Sequence, residues 1–284
     1  MEKKRASIDV VRASRAGHTF HERWAARRAL QLVFPKDDLY AIAVEGISTT
    51  EAVDLGAAAA DIADLILYYG TGDTFETCTL LETLQFKHVA ASEVVTASYL
   101  QKTILKFCDT IVAYEKKFPK DRVAEKLSFG FLTNADFSEN LWTAIRALKE
   151  GVQPKETLAK AQYDYLAELC GRKNIAPQRI FSITDFRTLT EHLDVQNKKL
   201  RRTLCNWSAG VDPEGRVRLH GLSELVREKA QLAGQENNLI RREDVLDVLG
   251  CDPEDLFPAD TRFVNVGEVV ERAALREVAP LVRT

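Results

Sequence analysis

Apolar positions recur along this chain with two different periods, and the change between them divides it. From Phe20 to about Val33, Glu22 is followed by Ala26, Ala29, Leu30 and Val33. That helical spacing predicts a helix with the Glu22 carboxylate at the head of its apolar stripe. Pro35 and Asp37-Asp38 end it. Leu39 to Ile47 (LYAIAVEGI) is a short apolar run that predicts a buried strand. Ile62 to Tyr69 predicts a second strand, Gly70-Thr71-Gly72-Asp73 a turn, and Thr77 to Val89 a third strand, so the last two form an antiparallel hairpin. Ser92 is an N-cap candidate for a helix running to about Lys117 and closed by Pro119. Lys126 to Thr133 (KLSFGFLT) predicts a fourth strand, reached by a helical crossover. The order helix, three strands, helix, strand predicts an α/β core within residues 1–150.

Beyond residue 150 the helical period dominates. Thr157–Arg172, Thr188–Trp207, Ser223–Leu232, Arg242–Leu249 and Val266–Val282 predict helices, and Arg179–Thr184 (RIFSIT) one short strand. Residues 151–284 therefore read as a mainly helical second region. Its last helix reaches the C-terminus without a stop signal, which leads one to expect a longer protein.

Composition changes this picture little. The chain has 284 residues, 45% apolar and 29% charged, the balance of a globular protein with one large or two modest domains. The net charge of -3 gives no global basic signature, but residues 1–28 hold eight Lys/Arg against three Asp/Glu. Lys198-Lys199-Leu200-Arg201-Arg202 is a second basic cluster of the kind that holds phosphate backbones, or simply a solvated helix face. The five cysteines are scattered with no CxxC spacing, which argues against a disulfide framework or a zinc site and suits a reducing cytoplasm. The N-terminus lacks the apolar stretch of a signal peptide, and no run is long enough to predict a membrane span.

The candidate chemistry lies in three short pieces. Strand alternation puts Gln85 and Lys87 on one face of the third strand, with Leu84 and Phe86 on the other. Asp64 opens the second strand, and a hairpin can carry it beside Gln85 and Lys87. Glu22 can reach the same spot from the packing helix. Singly, each residue has an ordinary role: an Asp in a turn, a Lys guarding a strand edge, a Glu answering a helix dipole. Together they offer a hard cation its oxygen ligands, with a lysine at hand for water or phosphate. Asp61 competes with Asp64 for the acidic position, and Glu45 is either a further, second-tier ligand or simply a strand-end residue. His88 follows Lys87 but faces the other way, which suits a structural role. No HxxxH pair, Gly-x-Ser-x-Gly or Cys/His pattern offers other chemistry.

The run Gly17-His18-Thr19-Phe20 with Glu22, then Val44-Glu45-Gly46, Asp64-Leu65-Ile66 and Gln85-Phe86-Lys87-His88, resembles the PD-(D/E)XK nuclease superfamily in its Gln-x-Lys form. It looks most like the double-stranded DNA nuclease effector domain of bacterial anti-phage systems, found in CBASS defence and at the N-terminus of antiviral STAND NTPases. The resemblance covers about residues 12–135. It implies a restriction-endonuclease-like core, a central mixed sheet flanked by helices, followed by the mainly helical region. It also implies Mg²⁺ (or Mn²⁺) held by Asp64, Gln85 and Glu22, with Lys87 positioning the attacking water. The implied substrate is double-stranded DNA, cut with little sequence preference, and the implied control is homo-oligomerisation. Leu256-Phe257-Pro258-Ala259 and the following helix look like the joint to an NTPase or sensor module. No Walker motif is present, so such a module is expected beyond Thr284.

Overall fold

The computed structural model describes residues 2–33, 38–55, 63–89, 94–207, 212–231 and 238–250. At its centre is a six-stranded mixed sheet. Helix α1 (Glu2–Ala29) and a 3-10 turn (Leu30–Val33) lead to β1 (Leu39–Val44), α2 (Thr49–Leu55), β2 (Leu65–Gly70) and β3 (Cys78–Lys87). Then follow β4 (Val94–Val95), α3 (Ala97–Glu115), α4 (Lys120–Lys126), β5 (Leu127–Thr133), β6 (Asp136–Phe137) and α5 (Glu139–Glu150). Helices α6 (Thr157–Gly171) and α7 (Pro177–Ser182) precede β7 (Thr184–Arg187). Helices α8 (Leu193–Trp207) and α9 (Asp212–Gln231), strand β8 (Leu239–Ile240) and α10 (Arg242–Leu249) complete the described chain.

The strand order is β7-β5-β3-β2-β1-β8. In the run β8, β1, β2, β3 each strand is antiparallel to its neighbour, while β3, β5 and β7 are parallel. The hairpin and the crossover expected from the sequence are both present. Each face of the sheet is covered. Ala41, Ala43, Ile66, Tyr68, Leu81, Phe129 and Phe131 pack under α3, α5, α6 and α7. Ile42, Val44, Leu65, Leu67, Leu84 and Phe86 pack under α1, α8, α9 and α10. Burial on both faces explains why β1 and β2 read as continuous apolar runs.

Several boundaries differ from the sequence reading. The first helix starts at Glu2, well before Phe20. β1 stops at Val44, because Glu45 (φ 51°) and Gly46 (φ 130°) turn the chain out of the extended region. Arg179–Thr184 is mostly helix: Pro177 sits in the first turn of α7, where its missing N–H costs nothing, and the strand begins only at Thr184. Helix α9 starts at Asp212, well before the expected Ser223, and runs through Gly215. A Cβ there would stand 2.8 Å from the Arg201 carbonyl, so the glycine permits close packing on α8. The segment beyond residue 150 is mainly helical, yet it supplies both edge strands, β7 and β8, to the one sheet. Ser92, Asp61, Leu256–Ala259 and the helix expected over 266–282 lie outside the described residues.

Candidate functional site

Asp64 is the residue immediately before β2. Its amide donates to the Leu84 carbonyl at 3.1 Å, and its own carbonyl accepts the Glu45 amide at 3.0 Å. These bonds fix Asp64 between the end of β1 and the end of β3. Its Oδ2 then accepts the Phe86 amide at 2.6 Å. Phe86 is the middle residue of Gln85-Phe86-Lys87, so this bond sets Asp64 against that motif.

A cleft of about 310 Å³ opens beside Asp64, with His18, His21, Glu22, Glu45 and Arg227 in its wall. Helix α1 brings the first three because Phe20 and Trp24 are buried beneath it, Trp24 stacked over Phe86 with ring centroids 6.2 Å apart. His21 leans on Phe86 (5.6 Å between centroids), and its Nε2 lies 3.9 Å from Asp64 Oδ2. Burial lowers the His21 pKa; the Asp64 charge opposes that shift, and the nearby His18 reinforces it. His21 is therefore a neutral neighbour of Asp64 at neutral pH.

Glu45 is exposed and sits in the left-handed region, which is costly for a residue with a Cβ. The turn is clamped from several sides. Asn238 Nδ2 donates to the Val44 and Ile47 carbonyls at 3.1 and 3.0 Å. Ser48 N donates to the Tyr68 hydroxyl at 3.0 Å, and that hydroxyl donates to Glu51 Oε2 at 2.8 Å. Glu51 Oε1 accepts the Phe75 amide at 2.9 Å. Burial raises the Glu51 pKa, and the bonds from Tyr68 and Phe75 work against it.

Glu22 is committed elsewhere. Arg227 of α9 grips it bidentately, Nε to Oε1 at 2.8 Å and Nη2 to Oε2 at 2.9 Å, and this bond raises the arginine pKa.

The four expected site residues are thus only partly gathered. Asp64 and Glu22 share the cleft, together with second-tier Glu45. Gln85 and Lys87 are not in its wall. Leu84 and Phe86 face α1, so alternation turns Gln85 and Lys87 toward the α3 face. Gln85 is 4% exposed, and its Nε2 has no hydrogen-bond partner. Lys87 is half-buried at the last position of β3, opposite Thr133 of β5. His88 packs its ring on Phe20, 5.3 Å between centroids, in keeping with a structural role. Among the described residues, no group of three or more His, Cys, Asp or Glu is placed to hold a metal ion. His18, His21 and Arg227 were not singled out from the sequence. His18 lies within the Gly-x-x-Phe run and His21 directly follows it, but Arg227 lies 205 residues from Glu22 and carries no local signal.

No protein-family model and no curated protein matches this chain. Among solved structures it is similar to the Moraxella osloensis Cap4 SAVED/CARF-domain containing receptor, with 13% identity and a TM-score of 0.46. The match covers 86% of this chain and 50% of that one, so this chain spans about half of that structure. Among the described residues, no helix is long and apolar enough to cross a membrane.

Proposed function

We propose that this chain is a metal-dependent DNA endonuclease, working in the cytoplasm as an effector of bacterial anti-phage defence. The observation that supports it most is the 2.6 Å bond from the Phe86 amide to Asp64, which joins the acid of one strand to the Gln-x-Lys of the next. The PD-(D/E)XK-like motifs and the mixed sheet flanked by helices agree with that reading.

The donors suit a hard cation in type, being carboxylates and one amide carbonyl; the buried Gln85 Nε2 without a partner is a donor and adds nothing for a cation. Asp64 and the Gln85 carbonyl would hold Mg²⁺ (or Mn²⁺); Glu22 lies in the cleft on the opposite face of the sheet from Gln85 and Lys87, so it would join only after a rearrangement, directly or through water. The ion supplies a more acidic water and charge stabilisation at phosphate. Lys87 orients or activates the water and neutralises charge on the phosphorus oxygens. His21, neutral beside Asp64, keeps a second proton acceptor in the cleft. On this reading Glu22 would have to leave Arg227 to take its part. Homo-oligomerisation, or a sensor or NTPase module in a longer protein, would drive that exchange. Binding would rest on phosphate contacts, giving little sequence preference on double-stranded DNA.

The grip of Arg227 on both Glu22 oxygens also favours a second reading, a nuclease-like module without catalysis that binds DNA or assembles. Digestion of supercoiled plasmid separates the two. Nicking with Mg²⁺ or Mn²⁺, stopped by EDTA and by Lys87→Ala, supports the enzyme. Intact plasmid in every condition, with the protein oligomerised, supports the inert module.

A further inference from the structure

Asn238 holds the rim of the Asp64 cleft from 194 residues along the chain. Its side-chain amide donates to the Val44 and Ile47 carbonyls at 3.1 and 3.0 Å, one on each side of Glu45-Gly46. Its backbone carbonyl accepts the Val44 amide at 3.1 Å. Leu239 and Ile240 then pair with Ala43 and Ile42 as strand β8. Arg241 follows, with its Nη2 2.6 Å from Asp73 Oδ2, and the Asp73 carbonyl accepts the Ser48 hydroxyl at 3.0 Å. Residues 238–241 therefore run along the edge of β1 and fasten the stretch from Val44 to Ser48 at both ends. Three features make this fastening releasable. Strand β8 is two residues long and lies at the sheet edge, so few ladder bonds hold it. The helix that continues it, α10, buries only two of its eight residues, Val245 and Leu249. The fastened state also carries costs: Glu45 is kept in the left-handed region, and Asn238 Oδ1 is buried without a partner.

We infer that β8 is a releasable strap that ties the position of α10 to the shape of the Asp64 cleft. Fastened, it holds Glu45 in the cleft wall in a conformation that a residue with a Cβ does not choose. Peeled from β1, it returns water to Asn238 Oδ1 and lets Glu45 leave the left-handed region. Asp64 does not depend on the strap, because its amide bonds to the Leu84 carbonyl and its carboxylate takes the Phe86 amide, both in β3. One acid of the cleft is thus switched while the other stays fixed. Whatever displaces α10 acts on the cleft through residues 238–241. That a phosphodiester is cut in this cleft rests on the nuclease reading; the strap itself does not.

The test is residue-resolved amide hydrogen exchange on the whole chain. In wild type the Val44 and Glu45 amides, bonded to Asn238 and Asp64, should exchange at least about tenfold faster than those of Leu67 and Thr83 at the centre of the sheet. Asn238→Ala should speed both amides further. So should Arg241→Ala, which touches neither of them and removes only the far anchor on Asp73. The control is Asn134→Ala, which takes the same kind of side-chain bonds from Val89 at another strand end and should leave both amides unchanged. If Asn238→Ala does not fold, wild type and Arg241→Ala decide the matter. Val44 and Glu45 amides that exchange only as slowly as Leu67 and Thr83 would overturn the inference. So would acceleration of Val44 without Glu45, or an equal effect of Asn134→Ala. If the strap opens as expected but plasmid stays intact with Mg²⁺, the nuclease reading fails while the strap stands.

Discussion

Asp64 completes the sheet with its side chain: Oδ2 takes the Phe86 amide at 2.6 Å, one step before β2 begins to pair with β3. One carboxylate oxygen is thus spent on structure, and the residue is held at the mouth of the cleft by three backbone groups. The same bond makes Asp64 both a structural and a chemical residue, and substitutions can separate the two.

Asp64→Ala removes a charge-assisted bond and leaves the part-buried Phe86 amide without its acceptor, at a cost of about 1–3 kcal/mol. Asp64→Asn keeps a carbonyl acceptor for that amide and loses less stability. Urea unfolding should rank wild type, Asn and Ala in that order. Cleavage should be lost in both variants, because neither retains the negative ligand.

Arg227→Ala should free Glu22. The pair is partly exposed, so unfolding stability should change by less than about 1 kcal/mol. Mn²⁺ affinity, measured by titration calorimetry, should rise, and basal plasmid nicking with it. Weaker Mn²⁺ binding would show that Glu22 is not a ligand and that the ion pair is architectural.

Glu45 keeps a left-handed backbone, φ 51°, at the edge of the cleft. Glycine adopts that conformation without steric cost but gives the unfolded chain more freedom. Glu45→Gly should therefore be neutral or more stable by up to about 1 kcal/mol. A thermal melt reads the difference. A clear loss of stability would mean that the carboxylate, and not the turn, keeps glutamate there.

Stability should fall on mild acidification. His21 and His88 both have pKa values lowered by burial from 6.5. The unfolded chain then binds more protons than the folded one, so stability is full above pH 6.5 and declines as pH drops through and below it. Glu51 has the opposite sense: its pKa is raised from 4.5, so its folding contribution weakens as pH rises above 4.5. Glu51→Gln should remove that second dependence, keeping an acceptor for Tyr68 or Phe75, whereas Glu51→Ala strands both buried donors and should cost several-fold more. Stability profiles from pH 4 to 8 distinguish the three proteins.

The parts of this molecule legible in sequence are those with a local period. Leu84/Phe86 against Gln85/Lys87 was a strict alternation, and the sheet keeps it. Asp64 sat at a strand start by register, and it does. Glu22 headed an apolar stripe, and α1 does bring it to the cleft. What the period cannot carry is which face of the sheet a helix covers. Helix α1 packs on Leu84 and Phe86, which turns Gln85 and Lys87 toward α3 and away from the Glu22 cleft. Strands β7 and β8 have four and two residues, too few for a period to single them out, although β7 does alternate buried Thr184 and Phe186 with Asp185 and Arg187; both pair with the edges that β5 and β1 offer. Arg227 and Asn238 act on residues about 200 positions away, and only the tertiary fold joins them.

The central claim is tested most directly by the rate of plasmid cleavage by Lys87→Ala relative to wild type, at equal folded concentration in Mg²⁺ and Mn²⁺. The account predicts metal-dependent nicking by wild type and a loss of about 10²-fold or more in the variant, the scale of a positioned proton-transfer or charge-stabilising group. Equal rates in the two proteins, or nicking that survives EDTA, would contradict it.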